Sequence, residues 1–483
     1  MGRGAGRYCK AGLCIGIFLF IFAGYVSAID FSFRGVGFFS NQSPNSFFVE
    51  GAAAFSHKEG PITISGEFLA ESRGTYPEPF LADFFGPFAV EIVNAGIEYN
   101  QGKLEFYLGK LPLEDEIESP YSLFLNGLSP SVMTGGFRYL SGDFYFSNRW
   151  IGLNRNIDSN LYQTTGTVIY EDRGAVLKSY SLDLGRVKLG YQDATIFRGS
   201  YFDVDVFAIP MVPSALIQAV LTASGRPSSR FGNQNSVMGF FGEYEADTWK
   251  LYAQLLVDDI NMNRFLNPGA YQNPDKIAWA VGSIIELPLG SLSLHTAGAT
   301  KYTFESAREE FYSYTLYPGS AVLSDGKIVS IPLQDQMLGY LHGENNIALM
   351  ATWQASVWSL DLQTGLEFTL SGAKSPTNPW HNGESWSTLG GTQLLNDAVL
   401  QKQILLDLRG SKSWGGLTLF VATKLGYEFD KLNPVYPGDP AYPVYPIITE
   451  TYGDMREPLY IPKAGDSGPV VELSLGGIWS FGL

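Results

Sequence analysis

Four carboxylates crowd one short stretch, "LEDEIES": Glu114, Asp115, Glu116 and Glu118. Packed that closely, such groups repel anions, or hold a hard cation such as Ca²⁺ with the help of water and carbonyl oxygens. They serve equally as solvated loop charges or as partners of lysine and arginine. The run lacks the ligand spacing and turn glycine of an EF-hand. A second acidic pair, Asp258 and Asp259, ends the alternating run "WKLYAQLLVDD", with Arg264 close behind. That pair fits a divalent-ion or sugar-hydroxyl site, or the capping of a strand end. Two further stretches mix rings with polar groups. "NPWHNGESW" carries Trp380, His381 and Trp386, and "LNPVYPGDPAYPVYPIITETYGD" carries Tyr436, Tyr442 and Tyr445 between prolines. Rings of this kind stack on the C–H faces of sugars while amides and carboxylates take the hydroxyls. Proline stiffens such a loop and lowers its ordering cost. The same rings also suit plain packing of a loop over whatever lies beneath it.

Enzymatic chemistry has little to stand on. His57, His295, His342 and His381 are the only histidines, and none has the spacing of H-E-x-x-H. No G-x-S-x-G elbow or phosphate loop stands out. We expect no enzyme, no cofactor and no bound metal; a hydrolase site assembled across strands is the distant alternative. Both cysteines, Cys9 and Cys14, lie in the segment 1–28. That segment has Arg3, Arg7 and Lys10 ahead of an apolar run from Leu13 to Phe22, then Val26-Ser27-Ala28, as a secretory signal peptide requires. Its removal leaves one domain, 29–483, without thiol chemistry. Without its three cations the remaining chain has 29 basic residues (32 less 3) against 48 acidic, a surface that repels nucleic acid.

The elements that position these groups read as strands. After residue 28 no window approaches the roughly 20 apolar residues of a spanning helix. The nearest, 206–223, is broken by Pro210 and Pro213 and reads as a loop with a short helix starting near Ser214. Aromatic residues make up 14% of the chain and charged ones only 17%, and an exported chain of that balance without a spanning helix is either a secreted β-domain or an outer-membrane barrel. Period-2 alternation recurs: Leu104, Phe106 and Leu108 against Lys103, Glu105 and Tyr107; Leu360, Leu362, Leu366, Phe368 and Leu370 against Asp361, Gln363 and Glu367. In "VLQKQILLDLR" Leu406 and Gln403 fall on opposite faces. About 18 such strands are expected.

Connection lengths turn strands into an architecture. Every second connection is a few residues, whereas 73–89, 111–131, 153–174, 196–235, 258–274, 302–345, 373–398 and 431–469 are long, and only 39–44 breaks the rule. Long and short connections in strict turn belong to opposite ends of an up-and-down sheet, as in outer-membrane barrels. Lipid offers no partner for a strand edge, so such a sheet must close. The expected fold is a transmembrane antiparallel β-barrel with tight periplasmic turns and long external loops. "TTGTVIYED" (164–172) is assigned to an external loop, because a nineteenth strand would break the alternation. The last strand, "VELSLGGIWSFGL", is expected to close against "DFSFRGVGFF", with Trp479 and Phe481 at the periplasmic interface. Such a terminal strand is also what the barrel-assembly machinery reads.

The stretch "KLEFYLGKLPLEDEIESPYSLFLNGLSPSVMTGGFRYLSGDFYFSNRWIGL" resembles the Wzi-like capsule-assembly outer-membrane barrels. Their strand ending in Leu-Gly-Arg is matched by Leu108-Gly109-Lys110, their Gly-Pro insert by Ser119-Pro120, and their Ser-Leu-x-Leu by Ser122-Leu123-Phe124-Leu125. "LGYQDATIF", "NQNSVMGFFGEYE" and "LYAQLLVDDI", and the block from "SPTNPWHNGESW" to "LLNDAVLQKQ", are similar to further segments of that family. Lysine stands where the family has its arginine, and "LEDEIE" replaces a tryptophan-glycine. The resemblance implies an 18-stranded barrel with a lumen partly filled by inserts, and a carbohydrate-binding outer face. The expected partners are outer-membrane lipid, surface polysaccharide and the assembly machinery. A porin, or a channel of the long-chain fatty-acid type, is the alternative function.

Overall fold

The computed structural model describes residues 29–42, 46–72, 89–126, 131–154, 172–209, 212–214, 216, 234–260, 266, 274–304, 320–322, 328–330, 338–374, 391–435 and 459–482. Segment 1–28, nearly all of 164–172 and most of the stretch after Ser214 lie outside them. Eighteen strands form the wall: β1 Ile29–Ser40, β2 Ser46–Glu59, β3 Ile62–Glu71, β4 Ala89–Gln101, β5 Leu104–Leu111, β6 Val132–Ser141, β7 Phe144–Asn154, β8 Arg173–Asp183, β9 Val187–Arg198, β10 Gln234–Glu245, β11 Trp249–Asp259, β12 Pro274–Leu287, β13 Gly290–Ala299, β14 Asn346–Val357, β15 Leu360–Ser371, β16 Gln401–Trp414, β17 Leu417–Phe429 and β18 Gly468–Gly482. Each pairs antiparallel with its neighbours in sequence, and β1 pairs with β18 from Asp30↔Gly482 to Ser40↔Glu472. The sheet is a closed 18-stranded antiparallel barrel without a free edge.

The tight turns stand at one end, and of the short connections only that from β1 to β2 lies at the other. Gly60, Gly102, Gly142, Gly185 and Gly415 supply the positive φ (58–86°) that these hairpins need. At the β14–β15 turn two non-glycine residues, Trp358 and Ser359, take φ of 52° and 61°, the geometry of a type I′ turn. Smaller pieces belong to the long connections: paired strands Leu432–Val435 and Leu459–Pro462, paired strands Ser320–Val322 and Ile328–Ser330, a two-residue strand Gly391–Thr392, and a helix α1 over Val204–Phe207. The strand positions agree with the sequence reading to within a few residues. The helix expected to start near Ser214 is met at Ser214 and Leu216, both helical, whereas the hairpin inside 431–469 and the additional helix at Val204 were not legible from periodicity.

Alternation separates two surfaces. Outward positions carry Ile64, Leu108, Phe240, Leu255, Leu294, Leu349, Leu366, Ile404, Leu408, Leu425 and Leu475, all exposed. A continuous apolar exterior of this extent is incompatible with water and matches a hydrocarbon surround. At the turn end it finishes in Trp249, Trp358, Trp414, Trp479 and Phe481, all exposed, an aromatic girdle. Inward positions are polar and paired, as Gln403 with Glu428 (2.5 Å), or pack on inserted chain. No helix among the described residues is long and apolar enough to cross a membrane, which says nothing of strands.

Candidate functional site

The connection from β5 to β6 turns inward. Leu113, Ile117, Tyr121, Leu123, Phe124 and Leu125 are buried, most of them against inward alanines and valines of the wall. Gly239 leaves space for this packing, since a Cβ there would meet Phe124 at 3.1 Å and the Leu255 carbonyl oxygen more closely still. Asp115 is the hub of the segment. Its Oδ1 accepts from the Glu116 backbone N–H (2.7 Å) and from Gln192 Nε2 on β9 (2.7 Å). Its Oδ2 accepts from the N–H groups of Phe124 (3.1 Å) and Leu125 (3.3 Å) and from Gln254 Nε2 on β11 (3.1 Å). One carboxylate thus folds the insert on itself and pins it to two strands.

The pins continue round the lumen. Arg149 on β7 donates to the Glu114 carbonyl (3.0 Å), and Lys188 on β9 pairs with the Glu116 carboxylate (3.3 Å). The hydroxyls of Ser119 and Tyr252 share a hydrogen bond of 2.6 Å, and Tyr252 reaches His295 Nδ1 at 2.7 Å. Tyr121 donates to Glu367 on β15 (2.6 Å), which also meets His342 Nε2 at 2.7 Å. Burial, reinforced by the Glu367 carboxylate, pushes the Tyr121 phenol well above its ordinary pKa, so it stays a donor. A second inward segment, 338–345, closes on the first: Leu338 bridges to Leu125, Tyr340 packs edge-on against Tyr121, and the Tyr340 hydroxyl donates to Asn346 (2.7 Å). Beside this filling a polar cavity of about 950 Å³ remains, its wall including Arg34, Gln354, Asp361, Arg409, Lys424 and Glu472.

The four expected carboxylates therefore part company. Asp115 and Glu116 are partly buried anchors, whereas the Glu114 and Glu118 side chains are exposed. Among the described residues no group of three or more His, Cys, Asp or Glu is arranged to hold a metal ion. Asp258 sits where the register between β11 and β12 slips, between Val257 and Asp259, and its carboxylate meets Lys276 at 2.9 Å with both side chains buried. Its counter-charge is thus Lys276; Arg264 lies outside the described residues, and of Asp259 only the backbone is described. The rings Trp380, His381, Trp386, Tyr436, Tyr442 and Tyr445 all lie outside the described residues, although the bases of both their loops do not.

Those bases are joined. Lys374 and Tyr460 form an antiparallel bridge, with Lys374 N–H to Tyr460 O at 2.9 Å. The Lys374 ammonium is buried and donates to the carbonyls of His342 and Glu344, the latter at 2.8 Å. Asn345 takes a left-handed conformation (φ 49°) and donates to Ala373 O (2.9 Å) and Asp397 (2.7 Å), while accepting from Leu395 N–H (2.8 Å). Gly372 is required there, because a Cβ would lie 2.1 Å from Asn345 Nδ2. At the other loop, Asn433 donates to Asp466 (2.9 Å) and Gly465 N–H donates to Asp430 (2.7 Å). Sequence reasoning had no signal for this knot, since its members are 20 to 100 residues apart and individually ordinary.

No family model matches the sequence, and no curated protein does. Solved structures of barrels do resemble it. Wzi of Escherichia coli, an outer-membrane protein involved in group 1 capsule assembly and a carbohydrate-binding β-barrel, is 11% identical over 98% of this chain and 88% of its own, with a TM-score of 0.48. OprD of Pseudomonas aeruginosa is 9% identical over 94% and 95%, with a TM-score of 0.46. The outer-membrane protein OpdK of Pseudomonas aeruginosa is 9% identical over 94% and 99%, with a TM-score of 0.45. The class of the protein rests on its own closed ladder and apolar exterior: it is a transmembrane β-barrel of outer-membrane type.

Proposed function

We propose that this barrel binds surface polysaccharide on its outer face, through the two ring-bearing loops that follow β15 and β17. The observation that carries the reading is the Lys374–Tyr460 bridge, which sets the loops of Trp380, His381 and Trp386 and of Tyr436, Tyr442 and Tyr445 on one hydrogen-bonded base. Loops rooted on one hydrogen-bonded base would bring their rings to a common stacking surface at a reduced ordering cost. Asp258, buried and paired with Lys276, is a structural ion pair rather than part of this surface. The pinned insert supports the same reading, because a lumen crossed by fixed chain is poorly suited to bulk flow.

A narrow channel is the second reading, favoured by the 950 Å³ polar cavity beside the insert. One comparison separates them. Removing 437–457, which keeps both base strands, abolishes retention of surface glycan by cells and of purified capsular glycan by the protein, while the barrel still assembles. Retention equal to that of the intact chain rejects the loop after β17, and with it the two-loop surface, as the site. Large steady currents from the intact protein in planar bilayers support the channel instead.

A further inference from the structure

The chain after β9 does not simply leave the rim. Residues 199–209 and 212–214 lie against the outside of the barrel, across β7, β8 and β9. The pairing fixes the direction. Leu182 and Leu189 pair with each other and are 49% and 53% exposed, and Tyr180–Tyr191 and Lys178–Asp193 follow on that same outward face. On β7 the corresponding row holds Asn148, with Trp150 in the next outward row. Lys178, Asp193 and Asn148 stand near mid-strand on the hydrocarbon side, yet none is exposed.

What covers them runs in chain order. Trp150 Nε1 donates to Tyr201 O (2.8 Å), Asn148 Nδ2 to Phe207 O (2.9 Å), and Lys178 Nζ to Ile209 O (2.8 Å) and Val212 O (2.9 Å). Ser214 N–H then donates to Asp193 Oδ2 (3.0 Å). Gly152 makes room for the belt, as a Cβ there would lie 2.1 Å from the Tyr201 hydroxyl. α1 is capped by Asp203, whose carboxylate accepts from Asp205 and Val206 N–H. The belt's far side shows Phe202, Val204 and Ile209, all exposed and apolar. A lysine on a lipid face must find acceptors, and the belt's carbonyls supply them.

The belt's edge over β7 creates a groove. Gly135, without a side chain, stands between Leu108 and Trp150 in one outward row, and Leu108 leans over it, its Cδ1 2.8 Å from where a Cβ would stand. Phe106 lies on one side and Phe202 and Phe207 of the belt on the other, bounding an open groove of about 440 Å³. We infer that this groove holds one acyl chain of a bilayer lipid, and that Lys178 is the positioning residue that seats the belt forming its wall. The groove is continuous with the lipid-facing exterior, where Phe106 and Leu108 are 46% and 54% exposed, so its occupant comes from the bilayer.

The full chain, reconstituted in phosphatidylethanolamine vesicles with a diazirine in one acyl chain, is irradiated and mapped by peptide. Labelling concentrates on the peptides of Phe106–Leu108 and Phe202–Phe207. Lys178→Met lowers it at least tenfold while the barrel keeps its heat-modifiable migration, and Lys178→Arg restores it. Gly135→Leu, which fills the groove, lowers it as well and decides the matter if Lys178→Met fails to fold. Labelling spread evenly over the exterior, or unchanged in a folded Lys178→Met or Gly135→Leu barrel, overturns the inference.

Discussion

Replacing Asp115 by alanine tests whether the insert is a fixture or a passenger. The substitution removes the acceptor of the Phe124 and Leu125 N–H groups, both on fully buried residues, and of the Gln192 and Gln254 amides. The two glutamines retain each other at 3.3 Å, so most of the loss falls on the two backbone donors. Each buried donor left unsatisfied costs about 1–3 kcal/mol, so the docked insert loses about 2–6 kcal/mol. At the middle of that range the population of undocked insert rises roughly a thousandfold, while the wall, whose strand ladders do not involve Asp115, stays closed. Hydrogen exchange at Phe124 and Leu125 should quicken accordingly, and planar-bilayer recordings should show openings rare in the native protein. Asp115→Asn keeps one acceptor oxygen and should fall between. Native exchange and native conductance in a folded Asp115→Ala barrel would refute the account of the insert.

The two faces of β16 differ in tolerance: Leu406→Arg, facing lipid, should cost about 2–4 kcal/mol in denaturant unfolding from bilayers and Gln403→Arg much less, with equal costs contradicting the face assignment. The Lys374 ammonium is held by burial to a pKa of about 8 against the opposing pull of Glu344. Its folded value lies below its unfolded one. The cost of its charge is therefore present below about pH 8 and relieved as pH rises toward the unfolded pKa, so the loop base is more stable at pH 10 than at pH 7. Amide protection at Lys374 and Tyr460, corrected for intrinsic exchange, should rise over that interval and stay flat in Lys374→Met; a fall in the native chain would count against it.

The wall was readable because two faces with different solvents impose a period of 2, and because tight turns recur at one end. The belt was not. Outward Lys178, Tyr180 and Leu182 alternate with inward Leu177, Ser179 and Ser181, two mixed sets between which periodicity cannot choose. Only the covering segment makes the charged set outward, and it enters from the far end of another strand. The acidic cluster was visible as chemistry, but the Asp115 partners come from Gln192 and Gln254, amides that carry no charge signal. The Asp258 pairing with Lys276 depends on a register slip that composition does not encode.

The junction of β1 with β18 sets the order of assembly. Seventeen of the hairpin contacts can zip as their strands are delivered, each from a neighbour in sequence. The eighteenth joins residues more than 430 positions apart and must wait for the final strand. Asn41 fastens that late join from the rim, donating to Pro469 O and accepting from Val471 N–H, each at 2.8 Å. Until then two unpaired edges need shelter, so this seam governs how fast the cylinder is completed rather than how firmly it holds once made.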